Sequence, residues 1–490
     1  MKRLLFFLIF PLLLIRCTSV HIHEPKPFGA LPSERQLRWH ETEFYGLIHY
    51  TPTTFEGKEW GYGDADPAVF NPTKFDAGQI VGAARQAGMK GIILVAKHHD
   101  GFCLWPSATT DYNISRSPWK NGQGDMVMEF RKACDSLGMK FGVYVSPWDR
   151  NNPYYGSPEY VKIYREQLRE IYSGYGTLFM SWHDGANGGD GFYGGAKEHR
   201  QIDRSIYYGW DSLWAMTRRM QPNACIFSDA GPDVRWIGNE NGLAGETCWA
   251  TYSPQGNLYS ERPVPGDTRY LEGVEGHRDG KYWMPGECDV PFRPGWFYHA
   301  EQDSLVKTVE MLKTIYLSSV GHGQSLDLGL SPDKNGLLHQ NDVAVLQNFG
   351  RWLQETFSIN LAKQAEMNVS NVRQAQPAFG LQNLTDDDLS TYWATDDGVC
   401  QAELRLQWKQ PVTFRYIRLR EYIPLGQRID SVAFDIYENN DWRPVAQATS
   451  IGAQRIIQLP ELVSTTQFRI RILPSAAEPC LSEIGIYAGD

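Results

Sequence analysis

The sequence predicts an α/β chain: a (β/α)8 (TIM-like) barrel followed by a C-terminal antiparallel β-sandwich. Three observations carry this. Short apolar runs, each followed by a helical stretch, recur from residue 44 to about residue 355, which is the pattern of parallel strands joined by crossover helices. Each clear apolar run ends in polar or aromatic side chains, as barrel strands do at the C-terminal face that builds a site. Beyond about residue 356 the pattern changes to apolar/polar alternation with turns between, the mark of half-buried antiparallel strands. A doubly wound open sheet is the competing arrangement, but neither G-x-G-x-x-G nor a P-loop is present to place a nucleotide. With 490 residues the chain exceeds one compact core. It divides into a leader over 1–17, a barrel over 24–355 and a sandwich over 356–490.

The elements follow in order. Met1-Lys2-Arg3 and the apolar run Leu4–Ile15 form a secretory signal, too short to span a membrane stably. Residues 33–43 form a short helix capped by Ser33. A first strand, 44–50, ends at His49, and a loop then carries Glu59-Trp60. A helix over 74–88 precedes a second strand, 91–100, tipped by His98-His99-Asp100. A helix over 125–138 leads to a third strand, 141–149, ending in Trp148-Asp149. A helix over 157–173, with Pro158 in its first turn, leads to a fourth strand, 176–185, ending Trp182-His183-Asp184-Gly185. A helix at about 203–220 precedes the fifth strand, 224–229. The last three strands are expected near 245–251, 295–299 and 326–330, with an irregular insertion over 252–282 and helices over 301–319 and 340–355. In the sandwich, strands are expected over 402–406, 416–420, 432–437 and 468–472.

Composition narrows the classes of function. Net charge is −10 and no Lys/Arg block appears, which argues against nucleic acid as a partner. The 16 Trp, 25 Tyr and 22 Phe suit stacking on sugar faces, and equally an aromatic-packed core. The cysteines include no C-x-x-C pair, so zinc and redox motifs are absent. Cys400 and Cys480 both fall in the sandwich and could pair there, which their spacing alone does not show; most of the cysteines read as buried apolar thiols.

The strand tips bring together His49, His98, His99, Trp148, Trp182 and Asp184, and the stretch Gly231–Glu240 follows the fifth strand. A carboxylate at the tip of a buried strand is costly without partners; a plain role for Asp184 is to cap the next turn. Two carboxylates between aromatic walls are what glycosidic cleavage needs: one protonates the leaving oxygen, the other attacks the anomeric carbon or activates water against it. His49, His98, His99 and Asp184 could instead hold a metal if the backbone twists at the strand end. The adjacent histidines could also divide, one packed in the core and one facing solvent.

The runs Lys97-His98-His99-Asp100-Gly101-Phe102-Cys103-Leu104-Trp105, Trp182-His183-Asp184-Gly185-Ala186 and Gly231–Glu240 resemble glycoside hydrolase family 29, the retaining α-L-fucosidases. The resemblance spans about Glu41 to Glu355, and family members often carry a C-terminal β-sandwich. It implies Asp184 as nucleophile and a fucose pocket of His49, Glu59, Trp60, His98, His99, Trp148, Trp182, Arg235 and Trp296. The alternative for Trp296 is ordinary core packing. The loops Pro147–Arg150 and Arg235–Glu240 resemble the branch that removes α-1,3- and α-1,4-linked fucose from branched Lewis-type glycans, which implies Glu240 as acid/base. Glu246 and Glu287 are rivals for that role, and Asp327 departs from the family's usual apolar-Asn run.

Under this resemblance Arg235 is the candidate cation beside Asp184, Glu240 needs surroundings that keep it protonated, and a retaining mechanism expects the two carboxyl groups about 5–5.5 Å apart. Catalysis needs no cofactor. The run Asn383–Trp393 resembles the opening loop of discoidin-like carbohydrate-binding domains, whose acidic residues and carbonyls often hold a structural Ca²⁺; a sandwich that only braces the barrel is the alternative. Cys17, directly after the apolar leader, resembles a bacterial lipoprotein signal, with Arg16 where a small residue is usual. The protein is therefore expected to be exported, to the periplasm or as an outer-membrane or cell-surface lipoprotein, with a fucosylated oligosaccharide or glycoconjugate as its partner and contact with the membrane only through a lipid anchor. The alternatives are a broad α-L-fucosidase that also takes α-1,2 linkages, a non-catalytic surface glycan-binding lipoprotein and a metal-dependent barrel hydrolase.

Overall fold

The computed structural model describes residues 23–489; the leader over 1–17, including Cys17, lies outside the described residues. Eight parallel strands follow the chain: β1 Phe44–Ile48, β2 Gly91–Lys97, β3 Lys140–Val145, β4 Met180–Trp182, β5 Cys225–Phe227, β6 Arg235–Trp236, β7 Gly286–Pro291 and β8 Ser325–Leu330. β1 to β5 each pair with the next in sequence, as do β6 to β8, and β8 pairs with β1. A parallel bridge from Phe227 to Val234 joins β5 to the residue before β6 and closes the barrel.

The helices between strands begin and end as their sequences require. Asp76, Asp125 and Thr308 each cap a helix by accepting a backbone N–H from its first turn. Gly138 ends the helix Met126–Leu137 in the left-handed conformation. Ser33 donates its backbone N–H and its hydroxyl to the Gln36 amide oxygen, at 2.9 and 2.8 Å, which fixes the start of Glu34–His40. The Gln36 NH2 group in turn donates to the carbonyls of Asp233 and Trp283 across the bottom of the barrel. No described helix is long and apolar enough to cross a membrane.

The first five strands lie where the sequence predicts, although β4 is only three residues long. The helix expected from 203 starts at Trp210, because Gly209 turns the chain with φ 58°. Two later expectations are corrected. The stretch 245–251 is not the sixth barrel strand; it leads into Thr251–Tyr252, which forms a small antiparallel hairpin with Tyr282–Trp283. The stretch 295–299 is a turn beyond the tip of β7. β7 itself, Gly-Glu-Cys-Asp-Val-Pro, escapes an apolar-run search because Glu287 and Asp289, two apart, both face the barrel interior.

The sandwich is a seven-stranded antiparallel sheet. The segments 402–406 and 416–420 belong to one long strand, Ala402–Glu421, whose partner is Arg455–Ile472. Register shifts between Gln407 and Val412 and between Phe414 and Tyr416 bend this pair, which folds the sheet around a core containing Phe414, Phe434 and Phe468. All seven described cysteines are free, so the Cys400–Cys480 pair does not form.

The two domains are bound across a polar seam. Arg278 holds Asp430 through two nitrogens, at 2.6 and 2.7 Å, Arg420 pairs with Glu43 at 2.7 Å, and the Ser450 hydroxyl accepts from Cys248 N at 3.1 Å. The entry segment belongs to the seam as well: Phe28 N donates to the Leu425 carbonyl at 2.9 Å, and Arg373 donates to the carbonyls of His23 and Glu24.

Candidate active site

The first wall of the site comes from the tips of β1 to β4. A register shift between Val95 and Lys97, a β-bulge against β3, turns the end of β2. Lys97 then points into the helical layer, where it meets Gln167 at 2.8 Å and Tyr160 at 3.1 Å. His98 and His99 are both buried, with ring centroids 4.1 Å apart, so neither is solvent-facing. His49 lies 5.5 Å from His98 and 5.0 Å from Trp296. Burial lowers the His49 pKa to about 3 and the His98 pKa well below the usual histidine value. It lowers His99 to about 4 against the opposing pull of Asp184. All three rings are therefore neutral at neutral pH.

The His99 tautomer follows from its partners. The Ser146 hydroxyl donates its only hydrogen to the Trp148 carbonyl at 2.8 Å, so at 2.8 Å from His99 Nδ1 it must accept. Nδ1 therefore carries the proton, and the bare Nε2 lies 3.8 Å from Asp184 Oδ2. His49 Nδ1 and His98 Nδ1 are buried without a hydrogen-bond partner, which suits atoms that meet a polar ligand.

Asp184 sits just past β4 with its side chain 23% exposed. The Tyr144 hydroxyl donates to Oδ2 at 2.8 Å and Ala186 N donates to Oδ1 at 2.6 Å, which fixes the carboxylate plane. His183 faces the other way, between Tyr164 and Ser181. Trp148 is buried against His99 at 5.3 Å and donates its indole N–H to Tyr193. Trp60 is 53% exposed and lies edge-on to His99 and Trp148, at 5.1 and 5.6 Å.

Glu59 accepts from Trp296 N at 2.8 Å and sits 2.7 Å from His299 Nε2. This approach needs a glycine at 295, since a Cβ there would stand 2.4 Å from the Glu59 carboxylate. Gly329 plays the same part beneath Trp296, whose ring would lie 2.6 Å from a Cβ. Trp296 thus stands in the cleft and donates its indole N–H to Glu240 Oε2 at 3.3 Å.

The second wall comes from β5 to β7 and the segment 253–274. A cavity of about 490 Å³ is lined by Trp182, Asp184, Asp229, Trp236, Glu240 and Asp289, among others. Glu240 is reached by solvent, yet surrounding protein, with the charges of Asp184 and Glu59, raises its pKa above the usual glutamate range, against the Trp296 N–H. Burial, assisted by Asp184, raises Asp229 to about 7. The floor is a layer of carboxyl groups. Trp182 donates its indole N–H to Glu287 at 2.6 Å, the Tyr45 hydroxyl donates to the same group, and Trp236 donates to Asp289 at 2.6 Å. Burial pushes Glu287, Asp289 and Asp327 upward together. The departure at Asp327 thus belongs to this buried carboxyl floor.

One predicted residue does not join the site. Arg235 is fully buried, with its guanidinium directed to the carbonyls of Gly273, Met284 and Trp249 and its charge over the Tyr252 ring at 5.1 Å. It pins the 252–282 insertion to the barrel instead of facing Asp184. Arg204 is a cation in the cleft wall. Of the acid/base rivals, Glu246 is 76% exposed and pairs with Arg455 at the domain seam, and Glu287 lies in the floor. Tyr144, Arg204, Asp229 and Asp289 are additional site residues. Tyr144 and Asp289 sit inside strands, where a single polar residue carries no signal, and Arg204 lies in a loop.

Among the described residues, no group of three or more His, Cys, Asp or Glu converges as a metal site, which leaves the metal reading of the three histidines without a geometric basis. In the sandwich loop, Asp386 and Asp388 accept from their own turn and Asp387 pairs with Lys363 at 2.5 Å.

Comparison with known proteins agrees with this geometry. The family model for alpha-L-fucosidase matches residues 29–356. Alpha-L-fucosidase 1 of Arabidopsis thaliana is 37% identical over 99% of this chain and 93% of its own length. A glycoside hydrolase 29 family member from an unknown rumen bacterium superposes with a TM-score of 0.83 at 38% identity, over 95% of this chain and 78% of that one. The Ruminococcus gnavus GH29 fucosidase E1_10125, in complex with fucose, gives a TM-score of 0.85 at 30% identity over 96% and 97% of the two chains. A barrel of this architecture, a cleft between a histidine wall and a carboxyl-rich wall, and a family match across two thirds of the sequence lead to one conclusion: the chain belongs to the alpha-L-fucosidase family, glycoside hydrolase family 29.

Proposed function

We propose that this α-L-fucosidase removes terminal α-1,3- and α-1,4-linked L-fucose from branched, Lewis-type glycans by retaining double displacement. Asp184 attacks the anomeric carbon, and Glu240 first protonates the leaving oxygen and then takes a proton from water. The observation that carries this is the pairing of two unlike carboxyl groups in one cleft. Asp184 is fixed by the Tyr144 hydroxyl and Ala186 N. Glu240 has its pKa raised, in keeping with an acid that must hold a proton. The neutral histidines and Glu59 would bind the fucose hydroxyls, and Trp60, Trp182 or Trp296 its apolar face and methyl group. The loops Pro147–Arg150 and Arg235–Glu240 support the linkage preference by their resemblance to that branch.

The test is hydrolysis of aryl α-L-fucoside and of 2-, 3- and 4-linked fucosyl oligosaccharides, with the first-formed anomer followed by NMR. Release of 3- and 4-linked fucose in excess of 2-linked, with α-fucose formed first, supports the proposal. Equal release of 2-linked fucose refutes the linkage preference, and β-fucose as first product refutes retention. The leader implies export, with Cys17 as the acceptor of a lipid anchor. Cell fractionation of the wild type against Cys17→Ala tests this: loss of membrane association in the variant supports the anchor, and identical partitioning refutes it.

A further inference from the structure

The segment 253–274 forms much of the second wall with little regular structure. It brings Asn257, Leu258, Thr268 and Tyr270 to the cleft, and its shape is set from inside by one carboxylate. Asp267, 2% exposed, accepts three consecutive backbone amides: Leu258 N at 2.6 Å, Tyr259 N at 2.8 Å and Ser260 N at 2.8 Å. Hydrogen bonds from amides to an ionised carboxylate are among the strong ones. Without it, three neighbouring N–H groups would lose their common acceptor and the loop its reason to turn there.

The residue beside it fastens the segment to the barrel. Gly266 donates its N–H to both Asp229 oxygens, at 3.0 and 3.1 Å, and its carbonyl accepts from Arg204 at 2.7 Å. Its φ is +81°, and a Cβ would stand 2.3 Å from the carbonyl of Gly185, the residue after Asp184. The segment is therefore built around Asp267, latched at Gly266 to Asp229 and Arg204, and packed closely on the turn after Asp184.

What it offers to the cleft is a surface for a saccharide. Leu258 is 74% and Tyr270 41% exposed, and the Tyr270 ring lies 5.1 Å from Trp236. This apolar surface is bordered by Asn257, Thr268 and Arg204 as hydrogen-bonding groups. None of the three histidines lines it, so it is left for the leaving group if fucose occupies the histidine wall.

We propose that Asp267 is a specificity-determining positioning residue: it holds the 253–274 segment as the wall that receives the leaving saccharide, and so governs cleavage of glycans while leaving small activated fucosides unaffected. This rests on the fucosidase reading of Asp184 and Glu240. Its logic is that of binding energy remote from the reacting bond, which counts only for substrates long enough to reach it.

The experiment compares the full-length wild type with Asp267→Asn and Asp267→Ala on an aryl α-L-fucoside and on fucosylated trisaccharides. We expect kcat/KM on the trisaccharide to fall about 30-fold or more, chiefly through KM, with a change of about 3-fold or less on the aryl fucoside. Hydrogen exchange should rise at the amides of 258–260 while the barrel strands keep their protection. The near-isosteric Asn variant carries the test if Ala does not fold. Equal losses on both substrates, or an unchanged trisaccharide rate, would overturn the inference and leave the fucosidase reading intact. A wild type inactive on both substrates overturns that reading and the inference with it.

Discussion

The two walls of the cleft are built by opposite means. The histidine wall stands on β1 to β4; its rings are buried and uncharged, and His99 is held by Ser146, whose own hydroxyl is committed to the Trp148 carbonyl. The opposite wall hangs from the two-residue strand β6 and from a loop, with Glu240 open to solvent and the loop held by Asp267 and Gly266. A rigid, dry wall suits a component that every substrate shares, and a loop-built wall suits the component that varies. Each wall is open to a separate test.

The largest effect should come from the first wall. Asp184→Asn keeps the shape and the Ala186 contact but removes the attacking charge, and should lower kcat by about 10⁴-fold or more on every substrate. An equal loss on aryl and glycan fucosides marks a group used in all turnovers. Glu240→Gln comes next, with about 10²- to 10⁴-fold loss on glycans and much less on an aryl fucoside whose leaving group needs no proton. On the proposed mechanism Glu240 acts protonated, and its pKa is raised, so kcat on glycans should fall as pH rises through the titration of that group. The alkaline limb should vanish in Glu240→Gln; a limb that persists there would assign it to another group. Tyr144→Phe removes one hydrogen bond to a charged oxygen and should lower kcat/KM by about 10- to 100-fold.

The contrast in legibility follows the contrast in construction. The strand-tip positions of His49, His98, His99 and Asp184 are legible because strands with apolar bodies announce their tips. β7 is not, because Glu287 and Asp289 replace the apolar inward positions that a strand search needs. Arg235 is hidden for a similar reason. An arginine near a site reads as a ligand-binding cation, and sequence does not reveal that backbone carbonyls of a distant loop enclose it. Tyr144 is one aromatic among many until its hydroxyl is seen on Asp184. In the sandwich, alternation gave the strands, but not that 402–406 and 416–420 are one strand bent by bulges.

The smallest effect is on stability, and it has opposite signs in the wall and the floor. His49 and His99 have folded pKa values of about 3 and 4, below the ordinary 6.5. Their contribution is complete above about pH 6.5 and is lost as pH falls toward those values, because the unfolded chain binds the protons first. Glu287 and Asp289 are shifted upward by burial, so their contribution is present at low pH and is lost as pH rises above the unfolded carboxylate range of about 4. Glu287→Gln cannot ionise. Its melting temperature relative to the wild type should therefore climb between pH 5 and pH 8, as read by calorimetry, whereas a difference independent of pH would mean that Glu287 is not held protonated.

The most direct measurement is covalent trapping. A 2-deoxy-2-fluoro-α-L-fucosyl donor with a good leaving group slows both chemical steps and lets a glycosyl-enzyme accumulate. Peptide mapping by mass spectrometry should find the fluorofucosyl group on Asp184, and on no residue of the Asp184→Asn variant. An adduct on Asp229, Glu240 or Glu287, or turnover of the donor to the inverted sugar without any adduct, would contradict the account.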